Sequence, residues 1–278
     1  MKTLLLNFWI LFKKTFYYYK MVYIKVLKQK IFDIKNKKIV SFCLFNDTKA
    51  ILDEKRRYNR NRNYQNGIFM NYVLSKKFYP GWICRFYIDS TVEPGVLSKL
   101  DSLDLEYIYI ETDINKMSLR FLPFDDKNVD VWISRDLDSA LNSRESTAVD
   151  EWLNEPESIH IMHDHHCHGY NILGGMFGAK NKYLESFYDF YLELSTNRHS
   201  QNYGIDCDVL DTYVKKHYEN DKIYHGHKGR PFKTDSQLSH FIGKIFFWDK
   251  NECTRVCSDE KVDNLYDYFN KNEVLFTK

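Results

Sequence analysis

Two carboxylates stand two residues apart in Ser134-Arg135-Asp136-Leu137-Asp138-Ser139, directly after the apolar run Val129 to Ile133 (VDVWI). On extended backbone such a pair points the same way, roughly 6.5 Å apart at the Cα atoms. One hard cation then sits between them, or is held by one directly and by the other through water. Mg²⁺ and Mn²⁺ suit this arrangement, because they prefer oxygen ligands and keep positions open for substrate phosphates. The location agrees, since ligands of open α/β sheets bind outside the carboxyl ends of the strands. Spacing alone is a weak signal, because chance gives roughly two D-x-D triplets in such a chain. The second, Asp206-Cys207-Asp208, reads as the start of an amphipathic helix, where acidic side chains complement the helix dipole.

A different chemistry is offered by His163-Asp164-His165-His166-Cys167-His168. Imidazole and thiolate bind zinc directly, so a zinc-dependent hydrolase is the rival reading. A hydrolase of the H-x-H-x-D-H kind wants Asp at position 167, where Cys stands.

These residues must be positioned by a scaffold, and from about Lys38 strand-like and helix-like segments alternate. That alternation predicts an α/β domain with a mainly parallel central sheet flanked by helices. Expected strands are Ile39 to Phe45, Trp82 to Ile88, Leu105 to Ile110, Val129 to Ile133 and Ser158 to Met162. A helix placing Tyr64, Ile68, Tyr72 and Tyr79 on one face is stopped by Pro80-Gly81. Pro94 suits the first turn of a short helix through Leu100, and another helix spans Thr147 to Leu153. Later helices carry Leu184, Phe187, Tyr191 and Leu194, then Val209, Leu210, Tyr213 and Val214. Gly174-Gly175 marks a close approach of main chain or a tight turn. The domain is read as residues 38–247, with a 1–37 extension before it. A peripheral 248–278 segment follows, carrying a helix around Val262 to Phe269.

Composition narrows the class. With 40 basic and 38 acidic residues the net charge is +2, so no polyelectrolyte is implied as partner and nucleic-acid binding is not the reading. An aromatic share of 17% accompanies abundant Lys and Asn, so Tyr and Phe are not by themselves signs of sugar stacking. The six cysteines are scattered and fit a reducing, cytoplasmic setting. Thr3 to Phe12 (TLLLNFWILF) is apolar but shorter than the roughly 20 residues of a membrane span. Membrane contact through an interfacial N-terminal helix is the minority alternative.

The segments VSFCLFND, YPGWICRFYIDS, LRFLPFDD, VWISRDLDSALNSRESTAVDEWL, IHIMHDHHCH and ILGGMFGAK occur in this order. Together they resemble a group of GT-A-like glycosyltransferases found in large DNA viruses and in microbes, over roughly residues 38–243. The resemblance implies a GT-A-like domain that moves a sugar from a UDP- or GDP-sugar to a glycan, protein or small-molecule acceptor, in the host cytoplasm if viral. In that pattern the R-D-x-D-S run holds Mn²⁺ or Mg²⁺ and the diphosphate. Asp136 and Asp138 become metal ligands, and Arg120 and Arg135 become candidates for phosphate or for orienting the aspartates. Phe45, Asn46 and Asp47 resemble the base and ribose edge. Asp164 and Asp206 are candidates for the base or for holding a sugar hydroxyl, and Gly174 and Gly175 let main chain approach the donor sugar. His225 stands where a late third metal ligand comes, with His227 as its competitor. The chain departs from the family pattern at His163 in place of Arg, His166 in place of Pro and Cys207 in place of Gln. A non-catalytic sugar-binding protein of the same fold is the remaining alternative.

Overall fold

The computed structural model describes residues 23–46, 64–165, 168–196, 204–233, 241–243, 246–249 and 252–255. Asp47, the apolar run near the N-terminus and the expected helix near the C-terminus lie outside them. Eight strands form one mixed sheet: β1 (Ile24–Lys30), β2 (Lys37–Leu44), β3 (Ile83–Asp89), β4 (Glu106–Thr112), β5 (Val129–Arg135), β6 (Ile159–His163), β7 (Met176–Lys180) and β8 (Lys222–Gly226). Their spatial order is β1-β4-β3-β2-β5-β7-β6-β8, and only β1 and β7 run against the rest. β9 (Phe246–Asp249) and β10 (Glu252–Arg255) pair with each other as an antiparallel hairpin. The helices are α1 (Tyr64–Phe78), α2 (Gly95–Asp101), α3 (Ser143–Leu153), α4 (Phe187–Thr196) and α5 (Ile205–Tyr218), with a 3-10 segment over Lys116–Asp125.

This is the expected α/β architecture: one domain, a mainly parallel sheet, helices on both faces. One face packs Val40, Phe42, Phe86 and Ile133 under α1, α2 and α3. The other packs Ile39, Tyr87, Trp132 and Phe177 under the 3-10 segment, α4 and α5. Strands buried on both faces read as continuous apolar runs, which is why β2 and β3 were legible.

The sheet also contains strands that pattern reading passes over. β1 lies within the stretch expected to be an extension, and pairs with β4. Its register shifts between Val26 and Lys28, and a bulge interrupts the period-two signal. β7 is short, and it contains Gly178, where a Cβ would make tight contacts of 3.1 Å with Ile133 and Trp152.

The connections place a crevice. From β2 the chain proceeds through α1 to β3 and through α2 to β4, all on one side; β5 then returns to the other side of β2. Strand order therefore reverses between β2 and β5, and ligands of open α/β sheets bind at the carboxyl ends of strands at such a switch point. Asn46 follows β2 there, and Asp136 follows β5.

β5 is joined to α3 by a buried pair. Arg135 Nε donates to Glu145 Oε2 at 2.6 Å, while Glu145 and Asn142 form a capping box at the start of α3. Removing one member of a buried ion pair strands the other charge. Glu145→Ala is expected to lower stability by about 3–5 kcal/mol, measured by urea unfolding, with Gln costing less than Ala.

Candidate active site

Alternation along β5 decides which side chains meet. Successive strand residues face opposite ways, so Val131, Ile133 and Arg135 face the layer of α3, while Trp132, Ser134 and Asp136 face that of the 3-10 segment. Asp136 thereby reaches Arg120 of the 3-10 segment, whose Nη1 donates to Asp136 Oδ1. The other arm of the same guanidinium donates to Asp206 Oδ2 at 2.8 Å, from the first turn of α5. Arg120 is anchored through its own carbonyl, which accepts from Ser41 Oγ on β2 at 2.7 Å. Burial works against its charge, but Asp136 and Asp206 outweigh it and hold the guanidinium well above its ordinary pKa.

Beyond Asp136 the backbone turns, with Ser139 N donating to Asp136 O at 3.3 Å. The two carboxylates therefore belong to a turn rather than to the extended stretch that spacing suggested. Leu137 sinks into the core between them. From α1, Asn71 Nδ2 donates to Ser139 O at 3.0 Å and Asn71 Oδ1 accepts from Leu141 N at 3.1 Å. Gly67 lies so close that a Cβ there would stand 2.0 Å from Leu137 O. Asn71 and Gly67 were not among the sequence candidates, because inside a helix they look only like poor helix formers.

Gly174 and Gly175 form the centre of a turn closed by Met176 N donating to Leu173 O at 2.9 Å. β7 pairs Met176 with Arg135, so this turn abuts the end of β5. A Cβ on Gly175 would stand 2.0 Å from Asp136 Oδ2, and one on Gly174 2.4 Å from Arg120 Nη2 and 2.9 Å from Asp206 Oδ2. Neither glycine has positive φ, so space is what demands the residue type here.

Asp136, Arg120, Asp206, Gly174 and Gly175 are thus brought together. Asp138 stands two residues on, half-buried. Phe45 and Asn46 sit at the adjacent β2 end, where Asn46 N and Nδ2 donate to Thr91 at 3.0 and 2.7 Å. A residue missed by sequence reading joins this rim: Asp89, at the end of β3. Its Oδ1 takes Thr91 Oγ1 at 2.6 Å and Lys116 Nζ at 2.7 Å, and its buried Oδ2 has no hydrogen-bond partner.

Other expected residues lie elsewhere. Arg135 is turned to Glu145 and to the carbonyls of Ser134 and Phe177, so it does not face the crevice as a phosphate ligand would. His225 does not join Asp136 and Asp138. It is buried on β8 between His160 Nε2, 2.9 Å from its Nδ1, and Glu151 Oε2, 3.3 Å from its Nε2. Asp164 does not present a free oxygen as a base would: Arg144 takes both oxygens at 2.8 and 2.7 Å, and Ile242 N donates to Oδ2 at 3.0 Å.

The histidine run does not converge on a metal either. His163 Nε2 meets Tyr170 O at 3.0 Å, His165 stacks on Phe241 with centroids 4.3 Å apart, and His168 Nδ1 accepts the amides of Asp164 and His165 at 3.1 Å each. His166 and Cys167 lie outside the described residues. Among those described, no three His, Cys, Asp or Glu side chains could hold a metal ion.

The crevice nevertheless fits a hard divalent ion in one particular way. Mg²⁺ and Mn²⁺ are commonly held by one or two carboxylates, the remaining positions going to phosphate oxygens and water. Asp136 keeps 40% of its side chain exposed beside the glycine turn, and buried Asp206 Oδ1 has no hydrogen-bond partner. One part-exposed carboxylate at the crevice is compatible with an ion whose other positions go to water or a ligand's oxygens.

No family model matches the chain, and no curated protein does. Among solved structures it is similar to a manganese complex of Rv0371C from Mycobacterium tuberculosis, at 7% identity over 68% of this chain and 88% of that one, with a TM-score of 0.38. It is also similar to 4-diphosphocytidyl-2C-methyl-D-erythritol synthase from Anaerococcus prevotii, at 10% identity over 72% and 94% of the chains, TM-score 0.42.

Two outcomes are expected. Gly175→Ala should displace Asp136, lowering stability by about 1–3 kcal/mol and removing any Mn²⁺-induced thermal shift, whereas Gly169→Ala, in open space, should do neither. Burial, with His165 and His163 nearby, lowers the His168 pKa to about 4, and burial also lowers those of His160 and His225. A folded pKa below the unfolded value of about 6.5 means the unfolded chain binds more protons, so stability falls as pH drops from about 6.5 to 4. Thermal unfolding across that range should show this slope, and His168→Gln should flatten part of it.

Proposed function

We propose that the chain is a metal-dependent glycosyltransferase that moves a sugar from a nucleotide-sugar donor to an acceptor hydroxyl. The observation that carries this is the bridge from Asp136 through Arg120 to Asp206, lying under a two-glycine turn at the switch point of the sheet. The sequence resemblance to GT-A-like enzymes supports the same reading.

In this scheme Asp136 and Asp138 hold Mn²⁺ or Mg²⁺ together with the diphosphate of a UDP- or GDP-sugar. The bound ion supplies a Lewis acid that lowers the cost of negative charge growing on the departing nucleoside diphosphate. Arg120 keeps the Asp136 carboxylate oriented toward the crevice, and Asp206 fixes Arg120 from below. Gly174 and Gly175 let main chain lie against the donor. Phe45 and Asn46, with Asp47 next in sequence, border the nucleoside. Asp206 Oδ1, the unpartnered oxygen, takes a sugar hydroxyl or closes the metal shell. The acceptor is a glycan, protein or small molecule, with no role for nucleic acid. We place the reaction in the cytoplasm, or the host cytoplasm for a viral chain, a setting supported by the free thiols Cys43, Cys84 and Cys207. Among the described residues no helix is long and apolar enough to cross a membrane.

A thermal-shift panel of UDP- and GDP-sugars with and without Mn²⁺ tests the scheme. Mn²⁺-dependent stabilisation by at least one donor is expected, with slow donor hydrolysis. Asp138→Ala should remove both while the protein still unfolds cooperatively in urea, with a loss of stability no larger than the roughly 1 kcal/mol of a typical substitution. Stabilisation by zinc alone, with no response to either nucleotide, would overturn it.

A further inference from the structure

Residues 241–243 form a short strap pinned over the rim beside the crevice. Ile242 is fully buried against Met176, Met162 and Ala148. Its amide donates to Asp164 Oδ2 at 3.0 Å. Phe241 stacks on His165 at 4.3 Å. Gly243 has φ +79°, and a Cβ there would stand 3.1 Å from Met176 Sδ, so the backbone itself lies on that side chain. Met176 follows Gly174-Gly175 directly, and its amide closes their turn. The strap therefore backs the residue that fixes the glycines against Asp136 and Arg120.

Asp164, which accepts the strap's Ile242 amide, is itself held by an ion pair. Asp164 stands just after β6, and Arg144 in the first turn of α3 grips it with two parallel hydrogen bonds of 2.8 and 2.7 Å. Both side chains are largely buried, with 14% and 5% of their area exposed. The Arg144 guanidinium also lies 4.2 Å from the Phe232 ring centroid, and Phe232 packs on the same small core as Ile242. A paired fork of this kind fixes direction as well as distance.

We infer that Asp164 and Arg144 are positioning residues: their ion pair fastens the 241–243 strap onto Met176, and through Met176 sets the Gly174-Gly175 turn against Asp136. This rests on the glycosyltransferase reading only for what the turn touches; the mechanical link stands on its own contacts.

Hydrogen exchange by mass spectrometry on the full chain tests the link without any activity. In Arg144→Gln and in Asp164→Asn, peptides covering 241–243 and 172–177 should exchange about tenfold faster or more, together, while β1 is unchanged. The double variant should be no worse than the worse single, because both singles break the same ion pair. Arg144→Lys, which keeps the charge but not the fork, should fall between, and serves if the other variants do not fold. Mn²⁺-dependent hydrolysis of UDP-glucose and GDP-mannose then reads the consequence: KM for the donor used rises severalfold in both single variants, and the pH profile of kcat keeps its shape. Loosening of 241–243 with 172–177 unchanged would overturn the link. So would loss of turnover in Asp164→Asn with Arg144→Gln normal, which would make Asp164 a participant in the chemistry. Failure of wild-type protein to bind either donor counts against the proposed function alone, and the exchange pattern still decides the strap.

Discussion

Arg120 is the member on which the crevice depends. It is 2% exposed, so its charge has no access to bulk water and must be balanced by Asp136 and Asp206. Those two carboxylates come from the end of a strand and the start of a helix that are far apart in sequence. One guanidinium therefore sets the distance between β5 and α5, and with it the width of the rim. The fork geometry of Arg makes this possible, since two donors diverge from one rigid plane. A lysine ammonium gathers its donors at one point and lacks the two arms that reach both carboxylates. The same requirement explains the glycines: with Arg120 and both aspartates occupying the space, the β7 turn has no room for a Cβ.

Much of this was legible from residue order. Continuous apolar runs gave β2, β3 and the start of β5, and a strand leading into paired aspartates pointed to the rim. What pattern reading missed has identifiable physical causes. β1 is a Lys-rich edge strand with a bulge, so its alternation is broken. The 3-10 segment buries Leu119, Phe121, Leu122 and Phe124 in one short stretch, matching neither period two nor period 3.6. Arg135 looked like an equal of Arg120 because a sequence does not display which face of a strand a residue takes. Counting from Ile133, which belongs to the core, would have put Arg135 on the face opposite Asp136. The two D-x-D triplets differ by the same geometry: on α5, Asp206 is buried and Asp208 exposed, because two residues along a helix is over half a turn.

His225 and Asp164 show a subtler failure. Both residue types suit the chemistry expected of them, and both occupy strand ends or interiors near the right side of the sheet. Their partners, Glu151 and Arg144, lie on α3, which the sequence marked as a helix but whose register against β6 and β8 it did not display. Chemical suitability is a property of a residue; availability is a property of its neighbours.

Availability also differs among the buried carboxylates. Asp125 directs its two oxygens to the amides of Phe187 and Tyr188 at the start of α4, and Asp164 gives both of its oxygens to Arg144 and one also to Ile242. Those acids have finished bonding and hold the fold. Asp89 and Asp206, beside the switch point, are as deeply buried and yet each keeps one oxygen without a hydrogen-bond partner. Leaving a buried acceptor unmatched costs roughly 1–3 kcal/mol, and exchanging such a polar group for a well-packed apolar one is often neutral or stabilising. Buried carboxylate oxygens without a hydrogen-bond partner occur elsewhere too, at Glu157 among others, so what sets Asp206 apart is its link through Arg120 to Asp136. At the rim where strand order reverses, Asp206 shares the Arg120 guanidinium with the half-exposed Asp136, so one rigid group lies between a buried acceptor and the carboxylate that faces the crevice.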